Sequence, residues 1–253
     1  MSTPELSDIR RDFERVSPAT VQKASSFAAS ILADVAGRRG TLDGRITPVS
    51  PSARMAGAAF TIEVRPGDNL MIHAAMTMAK PGDVLVVDGK ADRTCALMGS
   101  IMINACMKLG IAGVVLDGAH RDSEELRELG FPVYSVGSNP NGPTKFIPGR
   151  INWPISCGGV AINPGDLIVG DGDGVVVVER EKAESLLELA ATKFADERAH
   201  CRYPCRQESA SEVARGFAAC GRRAQRGRGA MSSGSVAGRP LQGAIHRRID
   251  PWQ

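Results

Sequence analysis

An arginine–aspartate pair that directly follows a short apolar run is the feature of this chain best suited to chemistry. Residues 113–116 form an apolar run typical of a strand buried on both faces, and Gly118 permits a tight turn at its end. Ligands of open α/β sheets bind beyond the carboxyl ends of strands, which is where Arg121 and Asp122 fall. An arginine binds a carboxylate through two parallel hydrogen bonds, and an aspartate holds a hard divalent cation. The alternative is an ordinary surface pair after a strand.

A predicted helix that begins directly after Gly99 offers a second group of polar atoms. The backbone amides of Ser100, Ile101 and Met102 open this helix, which leads to the strand before Arg121. A helix N-terminus presents free N–H groups and a favourable dipole to an anion. These amides are therefore a candidate site for a small anion.

Several segments with glycine turns and chemistry-bearing side chains follow one another along the chain, and three of them contain Pro-Gly-Asp. The segments are residues 66–73, 81–89, 99–102, 110–122, 141–145, 163–166 and 170–178. In this order and spacing they resemble the RraA-like family, and the resemblance covers residues 15–200. That family includes divalent-metal-dependent aldolases that cleave 4-hydroxy-4-methyl-2-oxoglutarate and 4-carboxy-4-hydroxy-2-oxoadipate. It also includes a regulator that inhibits ribonuclease E.

The resemblance implies roles for the pair and for the helix start. In the family, the turn at Gly99, Ser100, Ile101 and Met102 receives the pyruvate carboxylate, and the asparagine that corresponds to Asn69 lies near the substrate. Cleavage beside a 2-oxo acid requires a stabilised enolate of pyruvate, for which a divalent metal can act as a Lewis acid.

The residues after the predicted strand fit this chemistry. Asp122 is the candidate ligand for Mg²⁺ or Mn²⁺, directly or through water. Arg121 is the candidate group for binding the substrate carboxylate or keto oxygen, where it also stabilises developing negative charge.

The chain departs from the aldolase pattern at one position. Characterised aldolases of the family carry Asp or Glu, then twenty residues, then Arg-Asp, and counting back from Arg121 places Ser100 at the acidic position. A serine cannot hold a metal-bound water as a carboxylate does. In the family a second acid commonly comes from the C-terminal region of a neighbouring subunit.

Two classes of function remain open from the sequence. The first is a metal-dependent class II lyase that acts on a 4-hydroxy-2-oxo dicarboxylic acid, with oxaloacetate decarboxylation as a related activity. The second is a non-catalytic binding protein that resembles the ribonuclease regulator. Retention of Arg121 and Asp122 favours the enzyme, whereas Ser100 favours the regulator or another substrate.

Four further side chains allow both a functional and a structural interpretation. His73 could carry a proton, because its reference pKa is near neutrality, but a histidine on the next helical turn is more often structural. Lys145 could reach a distal substrate carboxylate, or it could be a solvated loop lysine. Asp171 and Asp173 look like metal ligands, yet between glycines and before four valines they more often shape a tight loop.

Strand–helix alternation followed by several short strands predicts an α/β domain with layered β/β/α arrangement. The resemblance implies a swivelling fold of the same type, usually assembled as homotrimers or homohexamers. The predicted helices cover residues 5–16, 18–35, 69–79, 100–109, 123–129 and 180–200. The predicted strands cover residues 56–64, 84–88, 114–117, 131–136, 155–157, 167–170 and 175–178.

Composition and charge divide the chain at residue 200. Of 31 basic residues, ten (all Arg) follow that point, but only three of 28 acidic residues do, so residues 1–200 carry a net charge of −4. That negative charge balance argues against a nucleic-acid-binding surface on residues 1–200. No apolar run is long enough to span a membrane, and no signal-peptide core is present, so we expect a cytoplasmic protein. Cys95, Cys106 and Cys157 are expected to be buried hydrophobes.

Residues 201–253 are rich in Arg, Ala, Gly and Ser, and hydrophobic periodicity is largely absent. One interpretation is a disordered basic arm that touches nucleic acid nonspecifically. The other is an out-of-frame translation, because codons for residues 200–204, shifted by one base, can encode Ile-Ala-Asp-Ile. The Cys201 and Cys205 pair lacks a second well-spaced pair and is taken as chance.

Overall fold

The computed structural model describes residues 8–201, and side chains for residues 8–198. The helices are α1 (Pro18–Ala24), α2 (Ala29–Val35), α3 (Leu70–Met76), α4 (Ser100–Lys108), α5 (Ser123–Leu129) and α6 (Ala183–Cys201). The first strands are β1 (Thr47–Pro48), β2 (Met55–Glu63), β3 (Asp83–Met98), β4 (Gly113–His120) and β5 (Val133–Ser138). The later strands are β6 (Arg150–Ile151), β7 (Ile155–Cys157), β8 (Val160–Ile162), β9 (Leu167–Asp171) and β10 (Gly174–Val178).

The central sheet of the described residues has the strand order β1-β5-β4-β3-β2-β9-β10, with β6 paired to β2. Strands β2, β3, β4 and β5 run parallel, whereas β1, β9 and β10 pair antiparallel with their neighbours. Strands β7 and β8 form a separate antiparallel hairpin. The four parallel strands therefore present their carboxyl ends along one edge of the sheet.

Side chains from alternating positions of the parallel strands enter two different cores, as a sheet covered on both faces requires. On one face, Leu85 and Leu116 pack with Ile72, Ile103 and Leu126 of helices α3, α4 and α5. The opposite face packs against the β7–β8 hairpin. This hairpin is the second β layer, so the predicted layered β/β/α fold is confirmed.

A third core joins the first two helices and the last one to strands β9 and β10. Leu32 of α2 and Leu187 of α6 pack here with Val169 and Val176. The acid Asp171 assists this packing, because its Oδ2 accepts a hydrogen bond from Ala29 N–H at 2.8 Å, at the start of α2.

The helix predicted over residues 5–16 is wrong for the part that the structure describes. Residues 10–17 have no regular secondary structure and lie across the sheet. Phe13 packs edge-on against Phe60, with ring centroids 5.9 Å apart, and Arg15 makes two hydrogen bonds to Asp83, at 2.7 and 2.9 Å. Because these tertiary contacts use alternate residues of an extended chain, they override the local helical tendency.

The helix predicted over residues 18–35 is also interrupted. The hydroxyl groups of Ser25 and Ser26 donate to the backbone carbonyls of Gln22 and Lys23, so the chain turns between α1 and α2. Such local hydrogen bonds compete with helix propagation.

Strand β3 has 16 residues, more than three times the length of the strand predicted over residues 84–88. Its register with β4 shifts beyond Val87, where Lys90 and Ala91 have φ of 58° and 57°. The strand then continues to Met98 and delivers the chain directly to Gly99. Strands β1, β6 and β8 are absent from the sequence-based prediction, since segments of two or three residues carry little periodicity.

Other predictions are confirmed. Helix α5 covers the predicted residues and ends at Gly130, which has φ of 63°. Cys95, Cys106 and Cys157 are buried and free, and burial raises the pKa of Cys106 to about 12. No helix among the described residues is long and apolar enough to cross a membrane.

Candidate active site

A cavity of about 130 Å³ lies where the chain leaves the carboxyl ends of the parallel strands β2, β3, β4 and β5. Its walls contain every sequence-predicted site residue except Ser100, which lies directly beside it. The lining residues are Asn69, His73, Ala96, Met98, Gly99, Ile101, Met102, Arg121, Asp122, Pro143 and Lys145. The tertiary structure thus brings together residues that are up to 76 positions apart in sequence.

Asp122 follows β4 in the chain and directly precedes α5, and its carboxylate is hydrogen-bonded to the start of α4. Its backbone is left-handed, with φ of 61° and ψ of 43°, a conformation that costs about 1–3 kcal/mol for a non-glycine residue. Its Oδ2 accepts hydrogen bonds from the backbone N–H of Ser100 at 2.9 Å and from the Ser100 hydroxyl at 3.2 Å. No hydrogen bond within residues 8–198 reaches its Oδ1. One oxygen is therefore anchored, and the other is available to a ligand.

Gly99 makes this approach possible because it lacks a side chain. A Cβ atom at Gly99 would lie 2.5 Å from Asp122 Oδ2 and 2.9 Å from Arg121 Cγ. Both distances are shorter than van der Waals contact, so a larger residue would displace the pair.

The predicted anion site at the start of α4 is smaller than the sequence suggests. Ser100 N–H donates to Asp122, and Met102 N–H donates to Gly99 O at 3.1 Å. Among the described backbone contacts, only Ile101 N–H of these three amides lacks a protein acceptor. The expectation of three free amides needs this correction, because the protein's own carboxylate satisfies the first of them.

Arg121 lies beside Gly99 at the helix start and is partly exposed. Its Nε is 3.8 Å from Asp122 Oδ2, and its backbone N–H donates to Met98 O at 3.0 Å. A Cβ at Gly142 would lie 3.3 Å from Arg121 Nη1, so the glycine leaves room for the guanidinium. Its guanidinium makes no hydrogen bond within residues 8–198, so its N–H donors can bind a planar carboxylate.

Asn69 and His73 both line the cavity, and each has one buried polar atom without a hydrogen-bond partner among the described residues. The Nδ2 group of Asn69 donates to Leu97 O at 2.9 Å, but its Oδ1 and His73 Nε2 are buried without a hydrogen-bond partner among the described residues. Burial, and then the positive charge of Lys145, lower the pKa of His73 below its usual value. A buried unpaired acceptor costs about 1–3 kcal/mol, so these atoms are suited to a ligand that supplies hydrogen bonds.

Lys145 reaches the cavity from the loop after β5, and Asp68 holds that loop in place. The Oδ2 atom of Asp68 accepts hydrogen bonds from Thr144 Oγ1 at 2.7 Å and from Phe146 N–H at 2.8 Å, on either side of Lys145. Its Oδ1 accepts from Leu70 N–H at 2.9 Å, at the start of α3. Sequence reasoning treated Asp68 only as part of a turn.

The donor set of the cavity is compatible with a hydrated Mg²⁺ or Mn²⁺ ion. Asp122 supplies one available carboxylate oxygen, and magnesium sites commonly use one or two carboxylates and retain several waters. No group of three His, Cys, Asp or Glu side chains within the described residues could form an all-protein cage. A cation in this cavity would therefore be held largely by water, with Asp122 available as a protein ligand.

The remaining acids of the glycine-rich segments have structural roles. Asp171 Oδ1 accepts a hydrogen bond from Asp173 N–H at 3.0 Å, which shapes the β9–β10 turn as predicted. Asp117, in strand β4 before the pair, accepts hydrogen bonds from Arg45 and from Gly158 N–H on the opposite side of the sheet.

Comparisons with known proteins agree with this architecture. The family model described as RraA-like (Aldolase/RraA) matches residues 3–177. A protein of Halalkalibacterium halodurans named "Putative 4-hydroxy-4-methyl-2-oxoglutarate aldolase" is 45% identical over 158 residues, covering 62% of this chain and 75% of that protein.

Solved structures add proteins named for a different activity. Streptomyces coelicolor RraAS2, described as an unusual member of the RNase ES inhibitor RraA protein family, has a TM-score of 0.69 and 28% identity, covering 76% of this chain and 100% of that one. The RNA-processing inhibitor RraA from Thermus thermophilis has a TM-score of 0.56 and 29% identity, covering 60% of this chain and 92% of that one.

Proposed function

The chain belongs to the RraA-like family, and from that premise we propose that it is a class II carbon–carbon lyase acting on a 4-hydroxy-2-oxo dicarboxylic acid. The candidate substrate is 4-hydroxy-4-methyl-2-oxoglutarate, which is in the name of the relative that is 45% identical. The observation that carries the proposal is the convergence of Arg121, Asp122 and the start of α4 on one cavity.

The substrate's 2-oxo acid end binds beside the pair. The Arg121 guanidinium binds the carboxylate or keto oxygen, and Ile101 N–H is the remaining free amide of the helix start. Asp122 would hold a Mg²⁺ or Mn²⁺ ion, which would supply a Lewis acid for the charge that develops on the 2-oxo oxygen. Ile101, Arg121 and Asp122 thus orient the reacting end of the molecule.

The other end of the substrate meets the unpaired atoms of the cavity. The 4-hydroxyl donates its hydrogen bond to His73 Nε2 and passes the proton to that nitrogen, because the lowered pKa of His73 keeps its ring neutral near pH 7, while Asn69 Oδ1 accepts a hydrogen bond from a water beside the substrate. As the C3–C4 bond breaks, its electron pair passes into the enolate of pyruvate and the C4 hydroxyl oxygen becomes a keto oxygen. The enolate then takes a proton at C3 from water, and His73 returns its proton to solvent. Lys145 binds the second carboxylate.

Oxaloacetate decarboxylation is proposed as a side activity. Loss of CO₂ from oxaloacetate leaves the same enolate of pyruvate, so it needs the same stabilisation by Arg121 and the cation. This reaction requires no proton removal from a hydroxyl, and we expect it to be less sensitive to His73 than the aldol cleavage is.

The test is pyruvate release from both substrates, measured with added Mg²⁺ and with EDTA, against heat-denatured protein as the control for spontaneous decarboxylation. We expect release that depends on Mg²⁺ and stops with EDTA. Pyruvate release no faster than that of the denatured control, for both substrates, would refute the proposed lyase.

A second candidate is a binding protein that regulates RNA processing. Two observations favour it: the similar structures named as inhibitors, and Ser100 in place of the family's acid. A regulator acts through its surface, so its inhibition of a ribonuclease should be unaffected by EDTA and by Asp122→Asn. If Asp122→Asn abolishes the inhibition of the ribonuclease, the result favours the enzyme over the regulator.

We also propose that the chain assembles as homotrimers or hexamers. Ile101, on the cavity wall, is 80% exposed, and Phe146, next to Lys145, is 74% exposed. Large exposed apolar side chains beside a pocket are typical of contact surfaces. Light scattering should give a mass of three or six chains, and a monomeric mass for the wild-type protein would refute the assembly.

A further inference from the structure

His120, the residue before the Arg121–Asp122 pair, makes a hydrogen bond from each ring nitrogen. Its Nδ1 lies 2.7 Å from Ser135 Oγ in β5, and its Nε2 lies 2.9 Å from Ser123 Oγ, in the first residue of α5. The ring is only 6% exposed. A serine hydroxyl can donate or accept, so both bonds form with either neutral tautomer of the ring. We call these three side chains the serine–histidine–serine bridge.

The bridge spans the two residues proposed to act on substrate and metal. It connects Ser135 of strand β5 to Ser123 in the first turn of α5, and Arg121 and Asp122 lie in sequence between His120 and Ser123. Backbone hydrogen bonds hold the same turn, because Asn139 N–H donates to His120 O at 2.9 Å. The segment is therefore fixed from both the strand and the helix.

Asp122 does not adopt the usual conformation of an N-cap aspartate. An aspartate at the N-cap of a helix ordinarily has an extended backbone and accepts hydrogen bonds from the amides of its own helix. Here Asp122 is left-handed, and within the described part of the chain no side chain caps α5. Its carboxylate instead accepts the N–H of Ser100, at the start of α4.

We propose that the serine–histidine–serine bridge is a positioning device that keeps Asp122 left-handed, so that its carboxylate reaches the start of α4 instead of capping α5. His120 and Ser123 touch no substrate and act through Asp122. The orientation of Asp122 is independent of the activity, whereas the kinetic consequence rests on the proposed function.

The test compares Ser123→Ala with Ser123→Thr, because both variants keep the fold of α5 and only threonine keeps the hydroxyl. Ser185→Ala is the matched control, since Ser185 is also a first-turn helix serine and its hydroxyl donates to Lys182 O. Substitution of the buried His120 itself is avoided, because loss of a buried ring can unfold the domain.

The first measurement is hydrogen exchange in the metal-free protein, which requires no turnover. We expect the Ser100 amide to exchange about tenfold faster in Ser123→Ala, because its acceptor Asp122 is released. The Ile103 amide, bonded to Gly99 O, should be unchanged and so excludes general fraying of α4. Ser123→Thr and Ser185→Ala should resemble the wild type.

The second measurement is kinetic. We expect Ser123→Ala to need about tenfold more Mg²⁺ for half-maximal pyruvate release, since a misplaced ligand binds the ion less well. We expect Ser123→Thr to retain the wild-type value. Equal Ser100 exchange in the Ala and Thr variants overturns the positioning role, whatever the activity. A wild-type protein without turnover refutes the lyase, and the exchange comparison still decides the role of the bridge.

Discussion

At the scale of single residues, unpaired polar atoms distinguish the cavity. Four buried side-chain nitrogen or oxygen atoms among the described residues lack a hydrogen-bond partner, and two of them, Asn69 Oδ1 and His73 Nε2, belong to residues that line this cavity. Folding leaves such atoms unpaired at a cost, which a ligand can remove. The residues that would meet a substrate are thus visible without any ligand.

The pair itself gives the sharpest single-residue prediction. Arg121→Lys should lower kcat/KM by about 100-fold, because a point charge does not replace a planar, two-pronged donor. Asp122→Asn should remove Mg²⁺-dependent turnover. Both side chains are more than a third exposed, so the melting temperature should change little.

The control for these two variants is Glu125→Gln, an exposed acid on α5. It changes the charge by the same amount as Asp122→Asn and should retain wild-type rates. Turnover of Arg121→Lys and Asp122→Asn within a few-fold of this control would contradict their assignment.

Ser100 offers a gain-of-function prediction. Its hydroxyl is 3.2 Å from Asp122 Oδ2, so Ser100→Asp places a second carboxylate beside the first. We expect tighter Mg²⁺ binding by calorimetry, and the acid at the helix start gains about 0.3–1 kcal/mol from the helix dipole. The same variant should be more strongly stabilised by added Mg²⁺, because the ion relieves repulsion between the carboxylates. Unchanged Mg²⁺ affinity would show that the site does not use the family's acid position.

At the scale of elements, one buried carboxylate joins the start of α3 to the loop that carries Lys145. Burial by itself raises the pKa of Asp68, but hydrogen bonds from Thr144, Phe146 and Leu70 together outweigh it and leave the pKa below its usual value. A lowered pKa means that folding favours the ionised form. The loop around Lys145 therefore depends on the charge of Asp68.

Asp68→Asn should lower the free energy of unfolding at pH 7 by about 2 kcal/mol, the scale of a charge-assisted hydrogen bond. Because the folded pKa is the lower one, the contribution is complete above the unfolded pKa of about 3.9 and is lost as the pH falls through the folded pKa. In urea unfolding, the difference in free energy of unfolding between Asp68→Asn and wild type should be smaller at pH 3 than at pH 7. Asp173→Asn, at an exposed turn, should show no such trend, and a constant difference for Asp68→Asn would contradict the prediction.

At the scale of the whole molecule, the two parts of the sequence differ in charge. Residues 201–253 contain ten of the 31 basic residues, and residues 202–253 lie outside the described structure, so both interpretations of this segment remain predictions. Residues 8–201 already contain the sheet, its two covered faces and the cavity.

Truncation after His200 should leave the melting temperature within a few degrees of the full chain, because the removed sequence lacks the hydrophobic periodicity of a packed element. It should also weaken nonspecific binding to DNA at low salt, since the net charge changes from +3 to −4. Calorimetry and a fluorescence binding assay measure the two effects. A fall of many degrees in melting temperature would show that the segment packs on the domain.

The sequence by itself determined the layered α/β class, the boundaries of α5 and β7, and the residues that gather at the cavity. These follow from local signals: apolar runs, glycine stops and the order of the family's motifs. Only the tertiary structure decided that residues 10–17 are extended, because their contacts with Phe60 and Asp83 lie far away in sequence. It also decided that Asp122 occupies the first amide of α4, and that His120 and Asp68 hold the site, because these hydrogen bonds depend on side-chain directions that no sequence spacing records.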